Sequence, residues 1–466
     1  MKRPRLGTTR RQVVAGAAAL VVLVAAVVLV AGFAADAPVR TSDQFLAGTA
    51  EAGHGAVRLD TTLYLPQHTP APAVLLAHGF GGDKGDLAGF ARQLAGQGYV
   101  VLAYTARGFG RSGGLIHLDA PDFEVADAQR LLDYLAGRRE VRLDARGDPR
   151  VGVAGSSYGG ALALLLAGHD PRVDAVAADI TWNSLLRSLL PNAATAPAGA
   201  VAGGVFKRLW AGSLFGVGAG VDAGAAGTTG GAPGSGSPDG RAGTVGAGAS
   251  RGCGRFAPEL CAAYQRLAQG QAPAPSVLTL LQDSSPASVL GRITAPTLLT
   301  QGEQDSLFPL AEADANARGI AAHGTPVAVR WRSGGHDTGT GTDEAHGAAR
   351  RWFHDVLGHA APRSDFAMIL RGAGLSAQSG KRVSATLRAS GPYPGTSGVA
   401  QPRVDVGVRG PDQTLTAPAG ASPAAISSLP GLSAALDLAS GVGGLGALAE
   451  IPGQAARFDS EPLPQR

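Results

Sequence analysis

Val151-Gly152-Val153-Ala154 is a short apolar run that ends in Gly155-Ser156-Ser157-Tyr158-Gly159 and passes directly into the apolar stretch Ala161 to Ala167. A buried strand that turns at once into a buried helix leaves few architectures open. The turn is strained and its two arms approach closely, so small residues must stand at both ends. The strand, apolar throughout, must be covered on both faces. This segment alone predicts a sheet with helices packed against it.

The rest of the chain repeats the alternation. Ala73 to Ala77, Tyr99 to Tyr104, Val173 to Ala178, Thr297 to Thr300 and Val327 to Trp331 read as further buried strands. The alternating residues 56–66 read as an edge strand. Asp86 is placed to cap a helix carrying Leu87, Phe90 and Leu94, and Asp122 to Ala136 has helical spacing. Strands alternating with helices predict a mostly parallel, doubly wound sheet.

Gly155 to Gly159 matches G-x-S-x-G, and so does Gly110-Arg111-Ser112-Gly113-Gly114. Only the first follows a buried strand directly and opens a helix, which selects Ser157 over Ser112. A hydroxyl needs a base beside it to act as a nucleophile. The order Ser, acid, His then points to two strand-end loops. Gly302-Glu303-Gln304-Asp305-Ser306 follows one strand and Gly334-Gly335-His336-Asp337 the next. Asp305 and His336 are the candidates, with Glu303 the rival acid. His323, His346, His354 and His359 lie in polar or helical settings, and His117 and His169 lack a strand-end position. The two N–H groups that would bind a developing oxyanion are assigned to Tyr158 and Phe80. His78 is expected to brace the loop His78-Gly79-Phe80-Gly81-Gly82.

Residues 183–292 interrupt the alternation. Leu185 to Trp210 and Pro258 to Leu267 have helical spacing, whereas about Gly216 to Gly254 is Gly-, Ala-, Ser- and Thr-rich. A small helical cap carrying a flexible loop is expected. Cys253 and Cys261 can pair as a disulfide across that loop. Two thiols alone do not make a zinc site. From about Ser364 short alternating segments replace the helical pattern, as a β domain would.

The N-terminus carries Lys2, Arg3, Arg5, Arg10 and Arg11, and then no charge from Val13 to Ala35. That run is long enough to cross a bilayer. Residues 1–37 are read as a signal anchor with the basic end inside, or as a cleaved signal with Ala35-Asp36-Ala37 at the cleavage site. Either puts the remainder outside the cytoplasm. Residues 38–55 read as a polar tether. A net charge of +4 with no basic block elsewhere argues against nucleic acid as a partner.

Taken together, Tyr104 to Gly114, Ser157-Tyr158-Gly159-Gly160, Gly302 to Pro309 and Phe458-Asp459-Ser460-Glu461-Pro462-Leu463 resemble the X-Pro dipeptidyl-peptidase and cocaine-esterase family of serine hydrolases. The resemblance implies an α/β-hydrolase fold over residues 56–182 and 293–363, with the 183–292 cap. It also implies that 364–466 begins a C-terminal β-sandwich, here truncated. Members usually supply a tyrosine side chain to the oxyanion hole, whereas this loop reads His78-Gly79-Phe80. The implied activity is cleavage of peptide or ester bonds through an acyl-enzyme, on a peptide or small-molecule substrate, with no metal or cofactor. The alternatives are a carboxylesterase acting on small esters or amides, and a catalytically inactive, surface-anchored binding module.

Overall fold

The computed structural model describes residues 39–51, 55–191, 206–219, 252–336, 341–358, 360–375, 382–394, 396, 405–413 and 458–461. The chain divides into a unit of residues 1–40 and a unit of residues 41–466. The expected membrane segment and the Ala35-Asp36-Ala37 site lie outside the described residues. Among the described residues no helix is long and apolar enough to cross a membrane.

The strands are β1 (Arg40–Glu51), β2 (Gly55–Leu65), β3 (Ala73–Ala77), β4 (Val100–Tyr104), β5 (Leu143–Ala145), β6 (Asp148–Pro149), β7 (Val151–Ser156), β8 (Val173–Asp179), β9 (Thr297–Gly302), β10 (Val327–Arg332), β11 (Phe366–Leu375) and β12 (Arg382–Gly391). Short β13 (Val408–Arg409) and β14 (Asp459–Ser460) pair with each other, as do β5 and β6. The other ten form one sheet in the order β1-β2-β4-β3-β7-β8-β9-β10-β11-β12. From β4 to β11 the pairing is parallel, with β2 and β12 added antiparallel. Leu75 sits beside Leu102 on one side and Val153 on the other, and Val153 beside Val176. All four are fully buried, and burial of each such side chain contributes roughly 1.5–3 kcal/mol.

The helices are α1 (Ala88–Gly96), α2 (Ala126–Ala136), α3 (Tyr158–His169), α4 (Leu185–Leu189), α5 (Arg208–Gly218), α6 (Pro258–Ala268), α7 (Pro275–Asp283), α8 (Leu310–Ala321) and α9 (Thr342–Leu357). A Cβ on Gly152 would meet the Phe353 ring of α9 at 2.5 Å, so that glycine lets α9 lie directly on β7. From β3 the chain steps through α1 to β4, then returns past β3 to β7. The switch in direction falls between β3 and β7, and parallel sheets open their crevice at the C-terminal strand ends beside such a switch.

Four expectations need correction. Residues 40–51 are not a tether but strand β1, so β2 is not an edge strand. Polar Thr41, Ser42, Asp43 and Gln44 hide it in the sequence, because it lies at the sheet's outer edge, where the first three are exposed and Gln44 is half-buried. Asp86 does not cap α1. Its carboxylate accepts the Asp83 N–H, and the residue before the helix is Leu87. The stretch before α2 is a five-residue π-helical turn, Pro121–Val125.

The fourth correction concerns the C-terminal segment. β11 and β12 do not begin a separate sandwich but extend the main sheet, with Val329 in register with Phe366. The Arg330–Asp365 ion pair (2.6 Å) and a cluster of Trp331, Phe366 and Tyr393 fasten them there.

Candidate active site

Ser157 stands where β7 turns into α3, with φ 55° and ψ −115°. Such a backbone costs a non-glycine residue of order 1–3 kcal/mol, so the surroundings must hold it. They do so through its own peptide groups. The Ser157 N–H donates to Asp179 O (2.8 Å), and its carbonyl accepts from Gly160 N, Ala161 N and Thr181 Oγ1. A Cβ on Gly155 would lie 2.4 Å from the Gly159 carbonyl carbon, and one on Gly159 would lie 2.3 Å from Ala77 O. These contacts are why the motif demands glycine at both ends.

His336 Nε2 lies 2.8 Å from Ser157 Oγ, and its Nδ1 lies 2.6 Å from Asp305 Oδ2. Asp305 is buried. Its other oxygen accepts the N–H groups of Leu307 and Phe308 at 3.1 and 2.8 Å, so the carboxylate cannot swing away. The acid and histidine loops touch through glycine. A Cβ on Gly302 would lie 2.1 Å from Gly334 O, and one on Gly335 would lie 2.7 Å from the Asp305 Cβ. Glu303 is bonded through its backbone N–H to Arg332 O and makes no side-chain hydrogen bond to His336 among the described residues. Trp210 and Phe308 stand edge-on to the His336 ring.

Beside Ser157, the N–H groups of Phe80 and Tyr158 donate to no protein acceptor among the described residues. His78 braces the loop that carries Phe80. The Ala106 N–H donates to its Nε2 (2.9 Å), so Nδ1 carries the proton and donates to Gly79 O (2.7 Å). Burial pushes the His78 imidazole below its usual value, which keeps it neutral in this role.

The sequence profile of the X-Pro dipeptidyl-peptidase (S15) family matches residues 54–316, more than half of the 466-residue chain. The chain belongs to that family. The matched stretch contains Ser157 and Asp305, and His336 lies beyond it. Two curated proteins share 33% identity with shorter stretches. One is a quorum-quenching protein of Acinetobacter baumannii, over 123 residues (26% of this chain, 39% of that protein). The other is a monoacylglycerol lipase of Mycolicibacterium smegmatis, over 122 residues (26% and 41%). The matches thus span about two fifths of those relatives' lengths. Among solved structures, an acylaminoacyl peptidase of Pyrococcus horikoshii is similar at 14% identity and TM-score 0.43, covering 70% of this chain and 43% of that one.

The second G-x-S-x-G copy of this family member is structural. Ser112 Oγ donates to Thr105 O (2.6 Å) and accepts the Asp60 N–H (2.9 Å), deep in the core. The Arg107 of that segment makes a buried two-toothed ion pair with Asp127. His117 pairs with Glu51 and stacks on Phe123, and His346 stacks on Phe90. Neither reaches Ser157.

Sequence reasoning missed three features. Asp179, at the end of β8, accepts from Ser156 Oγ (2.7 Å), Thr300 Oγ1 (2.6 Å) and the Arg332 guanidinium (3.0 Å). It ties the ends of β7, β8, β9 and β10 together beneath Ser157. A charged residue directly after the apolar run Ala175 to Ala178 was the available signal. The second feature is buried Glu124, whose Oε1 accepts from Tyr158 OH at 3.2 Å. Burial raises its carboxyl to about 7 and lifts neighbouring Asp119 well above the carboxylate range.

The third is a cavity of ≈ 280 Å³ that reaches Ser157 from under α4 to α7. The cap is fastened over it. Lys207 Nζ donates to Ser306 O and Leu307 O, and Trp210 Nε1 to Ser306 Oγ. Cys253 and Cys261 form a disulfide with Cα atoms 5.6 Å apart. Between them Phe256 stacks on Phe80 and Phe215. The middle of the Gly-rich loop lies outside the described residues.

Proposed function

We propose that this chain is a serine hydrolase that cleaves peptide or ester bonds through an acyl-enzyme at Ser157. The observation that carries the reading is the pair of hydrogen bonds running from Ser157 Oγ through His336 to Asp305. Ser157 Oγ attacks the substrate carbonyl carbon while His336 Nε2 takes its proton. Asp305 holds the Nδ1–H tautomer and stabilises the imidazolium. The Phe80 and Tyr158 N–H groups receive the oxyanion. His336 then gives the proton to the leaving alkoxide or amine as the bond from carbonyl carbon to leaving group breaks. Water, deprotonated by the same imidazole, adds to the acyl-enzyme and releases the carboxylic acid and the serine hydroxyl.

Family membership supports a peptide cleaved after proline as one substrate class, and esters are the other. The intact elbow glycines and a bonded triad speak against an inactive binding module. We propose further that the catalytic part lies outside the cytoplasm. The basic N-terminus followed by an uncharged run supports this, and the disulfide fits an oxidising compartment.

The test is labelling of the purified protein with a fluorophosphonate probe. Labelling of the wild type that is absent from Ser157→Ala is expected. A folded wild type that takes no label would overturn the reading.

A further inference from the structure

We propose that the cavity above Ser157 is an acyl-chain site, and that the preferred substrates are esters of apolar carboxylic acids of up to roughly ten carbons. This deepens the serine-hydrolase reading and rests on it.

The chemistry of the walls carries the inference. Leu185, Leu214, Phe215, Leu260, Val277 and Leu281 line the cavity from four different helices. The polar groups of two of its larger lining side chains are turned to other work. Trp182 Nε1 donates to Ser284 O, and Tyr158 OH donates to Glu124. Glu259 is the one carboxylate lining the cavity among the described residues. It is exposed, and it faces His117 Nδ1 at 3.5 Å. An aminoacyl-proline acyl group would bring an ammonium and a carbonyl into these walls, where unpaired polar groups are strongly disfavoured. A hydrocarbon chain asks for no partner and gains from every methylene it removes from water.

Size sets the limit. An apolar cavity of about 150 Å³ accommodates a benzene molecule, and this one is ≈ 280 Å³. It has room for a chain of about eight to ten carbons and little more.

The experiment uses the full chain and begins with fluorophosphonate labelling, which reports the triad alone. Nitrophenyl esters from acetate to palmitate are then compared. The expected kcat/KM rises by up to about fourfold per methylene from butyrate to octanoate and levels off beyond decanoate. In a second arm with a shared warhead, octylboronic acid and an aminoacyl-pyrrolidine boronic acid compete against the label, and the alkyl compound is expected to win. Ala263→Phe, which places a ring in the cavity wall, is expected to move the optimum to shorter chains. A labelled enzyme with a flat ester series, or one that prefers the aminoacyl-pyrrolidine compound, overturns the acyl-chain site and leaves the hydrolase reading standing. A folded enzyme that takes no label overturns both.

Discussion

Asp179→Asn tests the buried clamp beneath the nucleophile. The substitution keeps a carbonyl acceptor for one hydroxyl partner but removes the charge opposite Arg332. Both side chains are almost fully shielded, at 5% exposure for Arg332 and 10% for Asp179. Removing one member of such a pair strands the other charge, at a cost of about 3–5 kcal/mol. That is a large part of the 5–15 kcal/mol typical of a folded domain. In a chain of this size each kcal/mol is worth about 2 °C, so Tm should fall by roughly 6–10 °C. Thermal and denaturant unfolding of the single variant, of Arg332→Met and of the double variant would measure it. The double variant carries no stranded charge and should lose clearly less than the sum of the two singles. Ser156 leans on the same carboxylate (2.7 Å) and Asp179 O receives the Ser157 N–H. The labelling rate of Asp179→Asn well below its Tm should therefore fall too. A Tm within about 2 °C of wild type, or strictly additive losses in the double variant, would refute the reasoning.

Asp305→Asn should cut the labelling rate by about four orders of magnitude with folding intact, because the amide imposes the wrong imidazole tautomer. Ser112→Ala should keep its label and lose about 1–3 kcal/mol in denaturant unfolding, since it strands the buried Asp60 N–H. Glu124 has a folded pKa raised to about 7 from an ordinary 4.5. Its contribution to stability is therefore fully present below pH 4.5 and is lost as pH rises through 7. Unfolding free energies measured from pH 4 to 8 should lose part of this downward trend in Glu124→Gln, by roughly 2–4 kcal/mol across the window. Reducing the Cys253–Cys261 bridge, which closes a loop of eight residues' separation, should cost about 2–3 kcal/mol by loop entropy. It should also slow labelling by freeing Phe256 from Phe80. Unchanged labelling in reductant would show that the stack is not held by the bridge.

What the sequence determined by itself was local. The strand–elbow–helix at Val151 to Ala167 was legible because its constraints are steric and lie within a few residues: Gly155 and Gly159 are each within one turn of Ser157. The acid and histidine were legible because each closes a strand, and their order along the chain is enough to select them. His78 was legible as a brace for the same reason of proximity.

Contacts between residues far apart in the chain were decided by the tertiary structure alone. Alternation in β12 announces a strand, but no pattern says that β11 beside it joins β10 rather than starting a second sheet. Polar β1 looks like a tether until Asp127 is seen accepting the Thr49 N–H, 78 residues away. The Asp179–Arg332 clamp joins side chains 153 residues apart. Neither charge shows in the sequence that the other will neutralise it. The cavity is built from α4 to α7 and from loops on both sides of them. Its apolar walls exist only once the sheet has brought those segments over Ser157, and burial, which sets the chemistry there, is a property of the assembled fold.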